Sequence, residues 1–180
     1  TGNLNQANSK QYSLKSSETI NKFLYHDGFI YGAGRYTDGP FPAQMRNTLV
    51  KIDPANMHHV WVRLGHVPTA TTARLYGFDL LIHDEAIYSG YHGDPDGTST
   101  TNTVMYLQKT SLNGDLLWLK QYDLPGNADI GLELVEMEDG FVVLAQDHST
   151  QRRMFLFKVD YSGNVLWANE YRVDGMAQTD

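Results

Sequence analysis

Apolar and polar positions along this chain repeat with a long period. Three stretches share one pattern: NTLVKIDPANMHHVWV from Asn47, MYLQKTSLNGDLLWLKQY from Met105 and MFLFKVDYSGNVLWANEY from Met154. In each, an apolar run ends in a lysine, a turn follows, and a second run carries a tryptophan. Lys51 stands 10 residues before Trp61, while Lys109 and Lys158 stand 9 before Trp118 and Trp167. Upstream of each stretch lies a second pattern, LYHDGFIYGAG around Asp27, LIHDEAIYSGY around Asp84 and VEMEDGFVVLAQ around Asp139. Self-similarity of this kind marks a chain built from structural repeats.

Each unit reads strand, tight turn, strand, longer loop, strand, turn, strand. Asp27-Gly28 and Asp139-Gly140 lie between apolar runs and predict type I′ hairpins, because both central residues need positive φ, which Asp and Gly tolerate. Asp84-Glu85 lacks the glycine and departs from that pattern. The second turn of each unit carries Gly in SLNGD from Ser111 and DYSGN from Asp160, whereas PANMHH from Pro54 has none and is one residue longer. Strands are expected at residues 18–26, 29–36, 46–53 and 58–64 in the first unit, with matching sets ending near Tyr122 and Tyr171. Helical spacing shows only faintly at Ile20, Phe23 and Leu24, and the corresponding Leu132 to Met137 segment reads better as strand.

Runs such as FVVLAQ and MFLFKV are almost continuously apolar, as in sheets covered on both faces. Four short antiparallel strands per unit, buried against neighbouring units, describe the blades of a β-propeller, with a β-sandwich as the other architecture. The boundaries are 1–17 for the end of a preceding blade and linker, 18–67, 68–123 and 124–172 for three blades, and 173–180 for the lead into a following one. Gly2-Asn3-Leu4 before Tyr12 echoes Gly163-Asn164-Val165 before Tyr171, which puts Gln6 in the tryptophan position. Three blades are fewer than the about four to eight of a closed ring. The 180 residues are therefore expected to be part of a larger ring, completed by the same longer chain or by a partner chain, and to aggregate or oligomerise when expressed alone.

Composition narrows the classes of function. The content of 41% hydrophobic and 19% charged residues is that of a globular chain. Without cysteine there is no disulfide framework, thiolate metal site or thiol nucleophile. A net charge of −7 disfavours a phosphate backbone, and no basic patch offsets it, so no nucleic-acid partner is expected. No apolar run approaches the ~20 residues of a membrane span.

The ending K-x-D-x-x-G-N-x-x-W, present as KVDYSGNVLW from Lys158, resembles the repeats of large secreted or surface-anchored bacterial β-propeller proteins. It is also similar to the tryptophan-docking repeat of quinoprotein-like propellers. The likeness extends over residues 18–172, departing at Pro54 to His59 and at Gln6. It implies that Trp61, Trp118 and Trp167 are structural, each packing between neighbouring blades. On that reading Trp118 and Trp167 are largely buried and truncation of either costs about 3–5 kcal/mol, with Trp61 costing less. The likeness also implies a secreted or cell-surface location.

The chemistry-bearing residues give little sign of catalysis. His26 and His83 share one repeat position beside the first turn, where the third unit has Glu138, and read as a solvated turn slot. His58 and His59 are adjacent, so on a strand they point to opposite faces and cannot share one ion. Asp94-Pro95-Asp96-Gly97-Thr98 has the alternating oxygens of a calcium loop. Counted from Asp94, however, glycine falls fourth rather than sixth and Met105 stands where a bidentate Glu belongs. A plain turn is the reading, with no cofactor expected; Asp38-Gly39-Pro40 is similar. Glu133 and Asp79 are carboxylates that spacing cannot pair, and no nucleophile elbow, phosphate loop or zinc-protease motif is present.

Loop length is the stronger signal. The longer loops emerge on one face: YTDGPFPAQM from Tyr36, GHVPTATT from Gly65, HGDPDGTSTTN from His92 and DHSTQR from Asp147. Long loops on a rigid scaffold are where binding residues sit. Tyr36, Phe41, Arg74 and His92 are the expected contacts for a protein or glycan partner. The function that follows is a non-catalytic module for protein interaction, adhesion or scaffolding. The other reading is part of a propeller enzyme acting on glycans or of a quinone-dependent oxidoreductase.

Overall fold

The computed structural model describes residues 17–38, 44–65, 74–94, 103–124, 129–147 and 153–172. They form three four-stranded antiparallel sheets in chain order. The first holds β1 (Ser17–His26), β2 (Phe29–Asp38), β3 (Gln44–Asp53) and β4 (His58–Leu64). The second holds β5 (Arg74–His83), β6 (Ala86–Asp94), β7 (Val104–Ser111) and β8 (Leu116–Tyr122). The third holds β9 (Asp129–Met137), β10 (Gly140–Asp147), β11 (Met154–Val159) and β12 (Val165–Tyr171). Within each sheet every strand pairs with the next. A single parallel bridge, Met45 to Arg74, joins the first sheet to the second. The expected strands stand within two residues at each end, β9 is the strand read at Leu132 to Met137, and no helix occurs among the described residues.

The repeat fixes which side of each sheet is apolar. Tyr31, Lys51 and Trp61 lie side by side across β2, β3 and β4, and Tyr88, Lys109 and Trp118 do so across β6, β7 and β8. On the first sheet this face, with Tyr31, Ala33 and Leu49, packs on Leu80 and Ile87 of the second. On the second, Leu81, Tyr88 and Leu107 pack on Leu134, Phe141 and Phe157 of the third. The middle sheet is thus covered on both sides, as its continuous apolar runs require. The fourth strands are largely exposed, β12 along its whole length.

The lysine of each motif sits over rings. Lys51 Nζ lies 4.0 Å from the Phe29 ring centre and 5.2 Å from that of Tyr31, and Lys109 Nζ lies 5.0 Å from that of Tyr88. In the third sheet Val142 takes the tyrosine position, and Lys158 instead pairs with Asp139. That hydrogen bond holds the Asp139 carboxyl below its usual range.

Two residues after each lysine, Asp53, Ser111 and Asp160 close the following turn. Asp53 Oδ1 accepts from Ala55 N at 2.8 Å, and Ser111 Oγ accepts from Asp115 N at 3.1 Å. Asp160 Oδ1 accepts from Ser162 N at 2.9 Å and Asn164 N at 2.8 Å, and the Asn164 backbone bond is the main cause of its lowered pKa. Gly114 and Gly163 take φ of 88° and 77° there, and in the longer first turn Met57 takes 56°.

At the strand-to-strand hairpins the structure amends two expectations. Asp84 and Glu85 adopt φ of 45° and 56°, the same type I′ conformation as Asp27 and Gly28 at 46° and 81°, without a glycine. In the third sheet Met137 pairs with Gly140, so the two-residue loop is Glu138-Asp139 and Gly140 opens β10. Met137, not Glu138, therefore corresponds to His26 and His83.

The tryptophans behave unequally. Trp61 Nε1 donates to Leu112 O at 3.1 Å in the second turn of the next sheet. Trp118 packs into the core between the second and third sheets, and a Cβ on Gly163 would crowd its ring. Trp167 is 40% exposed, which corrects the expectation that it is buried, because no described sheet lies on its face. Trp118→Ala is accordingly expected to cost about 2–3 kcal/mol, and Trp167→Ala under about 1 kcal/mol. Urea midpoints measured at sub-micromolar protein check this, and equal losses at the two positions would contradict the docking of Trp118 against the next sheet.

Candidate functional site

The first strands β1, β5 and β9 are neighbours in space, and each carries one extra residue at the same place. Register slips between Ile20 and Lys22, between Gly77 and Asp79, and opposite Leu144 and Ala145. The residues left over are Asn21, Phe78 and Leu132. Such bulges bend a strand and re-aim its side chains. The Phe78 ring is laid against Gly90 and Gly131, where any Cβ would collide with it. Asn21 Nδ2 donates to Gly77 O at 2.5 Å, tying β1 to β5.

The bulge also turns Asp79 inward, to 2% exposure. Its Oδ1 accepts from Leu80 N and its Oδ2 from Leu134 N, both at 2.8 Å, and Lys22 Nζ lies 3.3 Å from Oδ1. One carboxylate thus engages all three sheets. Glu133, the other carboxylate of the catalytic alternative, is exposed. Asp79 is occupied by backbone donors and a lysine, as a structural carboxylate is.

At the hairpin end, His83 bridges the second and third sheets. Its ring stacks on Tyr161 at 3.8 Å, and its Nδ1 is 2.8 Å from Glu136 Oε1. It is therefore no solvated turn residue, in contrast to the expectation. Tyr161 hydroxyl donates to Met137 O at 2.8 Å. Burial, helped by the Glu136 charge, pushes its pKa up to about 12.

The long loops leave and enter at the opposite end. Tyr36 lies near the end of β2, half-buried and opposite Arg46. His92 lies near the end of β6, opposite Tyr76 and Met105. The backbone of Arg74 opens β5 between Met45 and Asp94. Phe41 and the loop beyond Asp94 that carries the calcium pattern lie outside the described residues. Tyr36, Arg74 and His92 thus share one end of the first two sheets.

Around His92 the structure adds residues that the loop pattern did not indicate. Its ring stacks on Tyr76 at 5.6 Å and on Phe78 at 6.0 Å, and Arg35 Cζ lies 5.4 Å from the Tyr76 centre. Arg35, Tyr76, Phe78 and His92 are all half-buried. Behind them Tyr91 and Tyr106 stack at 5.1 Å. Burial, and then Tyr106 beside Tyr91 and Asp94 beside Tyr106, raises both phenol pKa values, so these rings are packing elements. In the third sheet Asp147, at the end of β10, and Arg153, just before β11, are tied together. Arg153 Nε and Nη2 donate to Asp147 Oδ2 at 3.1 and 2.8 Å, and Asp147 N donates to Arg153 O at 2.9 Å.

Among the described residues no group of three or more His, Cys, Asp or Glu is gathered as a metal site would need, and no helix is long and apolar enough to cross a membrane. The chain matches no known family model and no curated protein sequence.

Proposed function

We propose that the three sheets are consecutive blades of a β-propeller that serves a secreted or cell-surface protein in protein interaction, adhesion or scaffolding, without catalysis. The observation that carries this reading is the stack of Arg35, Tyr76 and His92 at the long-loop end. Ring faces and a guanidinium held on rigid strands recognise sugar rings or protein side chains by stacking and by charge. The propeller reading rests on the repeated docking of one sheet's tryptophan face on the next. The location rests on the likeness of the KVDYSGNVLW ending to surface-protein repeats. Further blades, from the same longer chain or a partner, belong to this proposal.

The test is binding to immobilised panels of glycans and extracellular matrix proteins, with Tyr76→Ala and Arg35→Ala compared with the unaltered chain. At least one ligand is expected to bind and to lose about tenfold or more in affinity in both variants. Glycoside hydrolysis or quinone-dependent dehydrogenation by the same material, undiminished in the variants, would overturn the reading.

A further inference from the structure

Arg35, at the long-loop end, is a cation without a counter-charge. Its guanidinium lies over the Tyr76 ring, 5.4 Å from the ring centre, and among the described residues it makes no hydrogen bond or ion pair. Other cations of the chain are matched: Lys22 with Asp79, Lys158 with Asp139, and Arg63 with the carbonyls of Gly114 and Asn113. Carboxylates are not scarce, at 21 acidic against 14 basic residues. A half-buried guanidinium has given up part of its water, and its five N–H donors form a fixed fork. Donors held in place and left without an acceptor are what a binding site offers a ligand.

The third sheet shows what such a group takes. Arg153 Cζ lies 5.7 Å from the Phe155 ring centre, the same ring-backed arrangement. There the chain supplies the partners itself: Nη2 lies 2.8 Å from Asp147 Oδ2 and Nη1 3.6 Å from Glu170 Oε1. A ring-backed guanidinium on these sheets is thus answered by carboxylates, and Arg35 has none. Its backing ring is already engaged, since Tyr76 also stacks on His92 at 5.6 Å. The rings therefore fix the guanidinium, and the guanidinium supplies the recognition.

We propose that the loop-end site binds a sugar bearing one carboxylate, a uronic acid unit, held by paired hydrogen bonds from Arg35. This rests on the loop-end binding role proposed above and names its ligand. One free positive charge on a chain of net charge −7 suits a singly charged group and disfavours polysulfated or phosphate-rich polymers. Arg35 stands on β2, Tyr76 on β5 and His92 on β6, so the described strands fix one guanidinium and a few ring edges. That contact set suits a single sugar residue rather than a protein surface, whose stable interfaces bury about 800 Å² per partner.

Titration of the chain with methyl β-glucuronide and methyl β-glucoside, followed by NMR, tests this, because the two sugars differ only in a carboxylate against a hydroxymethyl group. The glucuronide is expected to bind at least about tenfold more tightly. Arg35→Gln should abolish that preference, and Arg35→Lys, which keeps the charge and loses the fork, should retain only part of it. The preference should shrink as salt rises, and heparin should not compete.

Equal binding of the two sugars, or a preference that survives in Arg35→Gln, would overturn the proposal. The comparison of the two sugars on the unaltered chain holds however the variants fold. An acidic peptide held as tightly as the glucuronide, and lost equally in Arg35→Gln, would move the carboxylate to a protein partner and overturn the sugar assignment. Heparin that competes would overturn the single-charge selection. Neutral glycans or matrix proteins that bind and are lost in Tyr76→Ala, with no preference for the glucuronide, would overturn this inference alone and leave the loop-end role standing. Arg35-dependent binding of the glucuronide followed by cleavage of its glycosidic bond would do the reverse, overturning the non-catalytic reading and keeping the ligand.

Discussion

Asp79→Ala is expected to lower stability by about 3–5 kcal/mol, among the largest effects of any single substitution here. The carboxylate is 2% exposed, and its removal leaves Leu134 N and Lys22 without the acceptor they share. A buried donor left without a partner costs about 1–3 kcal/mol, and both Leu80 N and Leu134 N lose theirs, whereas Lys22, 40% exposed, turns to water. Asp79→Asn keeps one carbonyl oxygen for Leu134 N but loses the charge facing Lys22, so it should fall between the parent and the alanine variant. Guanidinium unfolding followed by circular dichroism checks the order. Parent-like stability in Asp79→Ala would show that the three first strands are held by packing alone. It would also free the carboxylate for a catalytic role.

Phe141→Ala should cost a similar amount, about 3–5 kcal/mol, through the cavity it leaves. Phe141 is fully buried, with its ring 5.4 Å from Tyr88 in an edge-on arrangement and 6.3 Å from Tyr161. Val142→Ala, one residue along but on the opposite face, should cost under about 1.5 kcal/mol, since that face has no described sheet above it. Thermal melts of the pair compare the two faces of one strand directly. Equal losses would mean that the outer face is as well covered as the inner one.

How much of this was legible in the chain differs from feature to feature. The strands and their order were, because the lysine, turn and tryptophan recur at fixed spacing between short turns. The exposure of Trp167 was not. A repeat records what a position faces in a covered sheet, and whether a neighbour is present is a property of the assembly. The bulges do carry a signal in the sequence. Gly77-Phe78-Asp79-Leu80 and Gly131-Leu132-Glu133-Leu134 are one motif, a glycine, a large apolar residue, an acid and a leucine. Gly131 makes room for the ring of the bulged Phe78, and Gly77 for the backbone at Gly34. The Asp84-Glu85 hairpin misled for a local reason: the turn conformation is imposed by the pairing of His83 with Ala86, which overrides the preference for glycine. At the loop end, Tyr36, Arg74 and His92 followed from loop length. Arg35 and Tyr76 did not, since a guanidinium over a ring two strands away leaves no spacing in sequence.

Because each sheet rests only on the one before and the one after it, unfolding of this chain is a nearest-neighbour problem in one dimension. The middle sheet gains from two interfaces and each outer sheet from one. Amides of β6 and β7 should therefore exchange with solvent only through the opening that melts the whole chain, while β12, exposed along its length, exchanges through local fraying. Cooperativity is then carried by the contacts between sheets more than by the hydrogen bonds within them. Lengthening or shortening such an array by whole units alters the number of equal terms in the sum, while their kind stays the same.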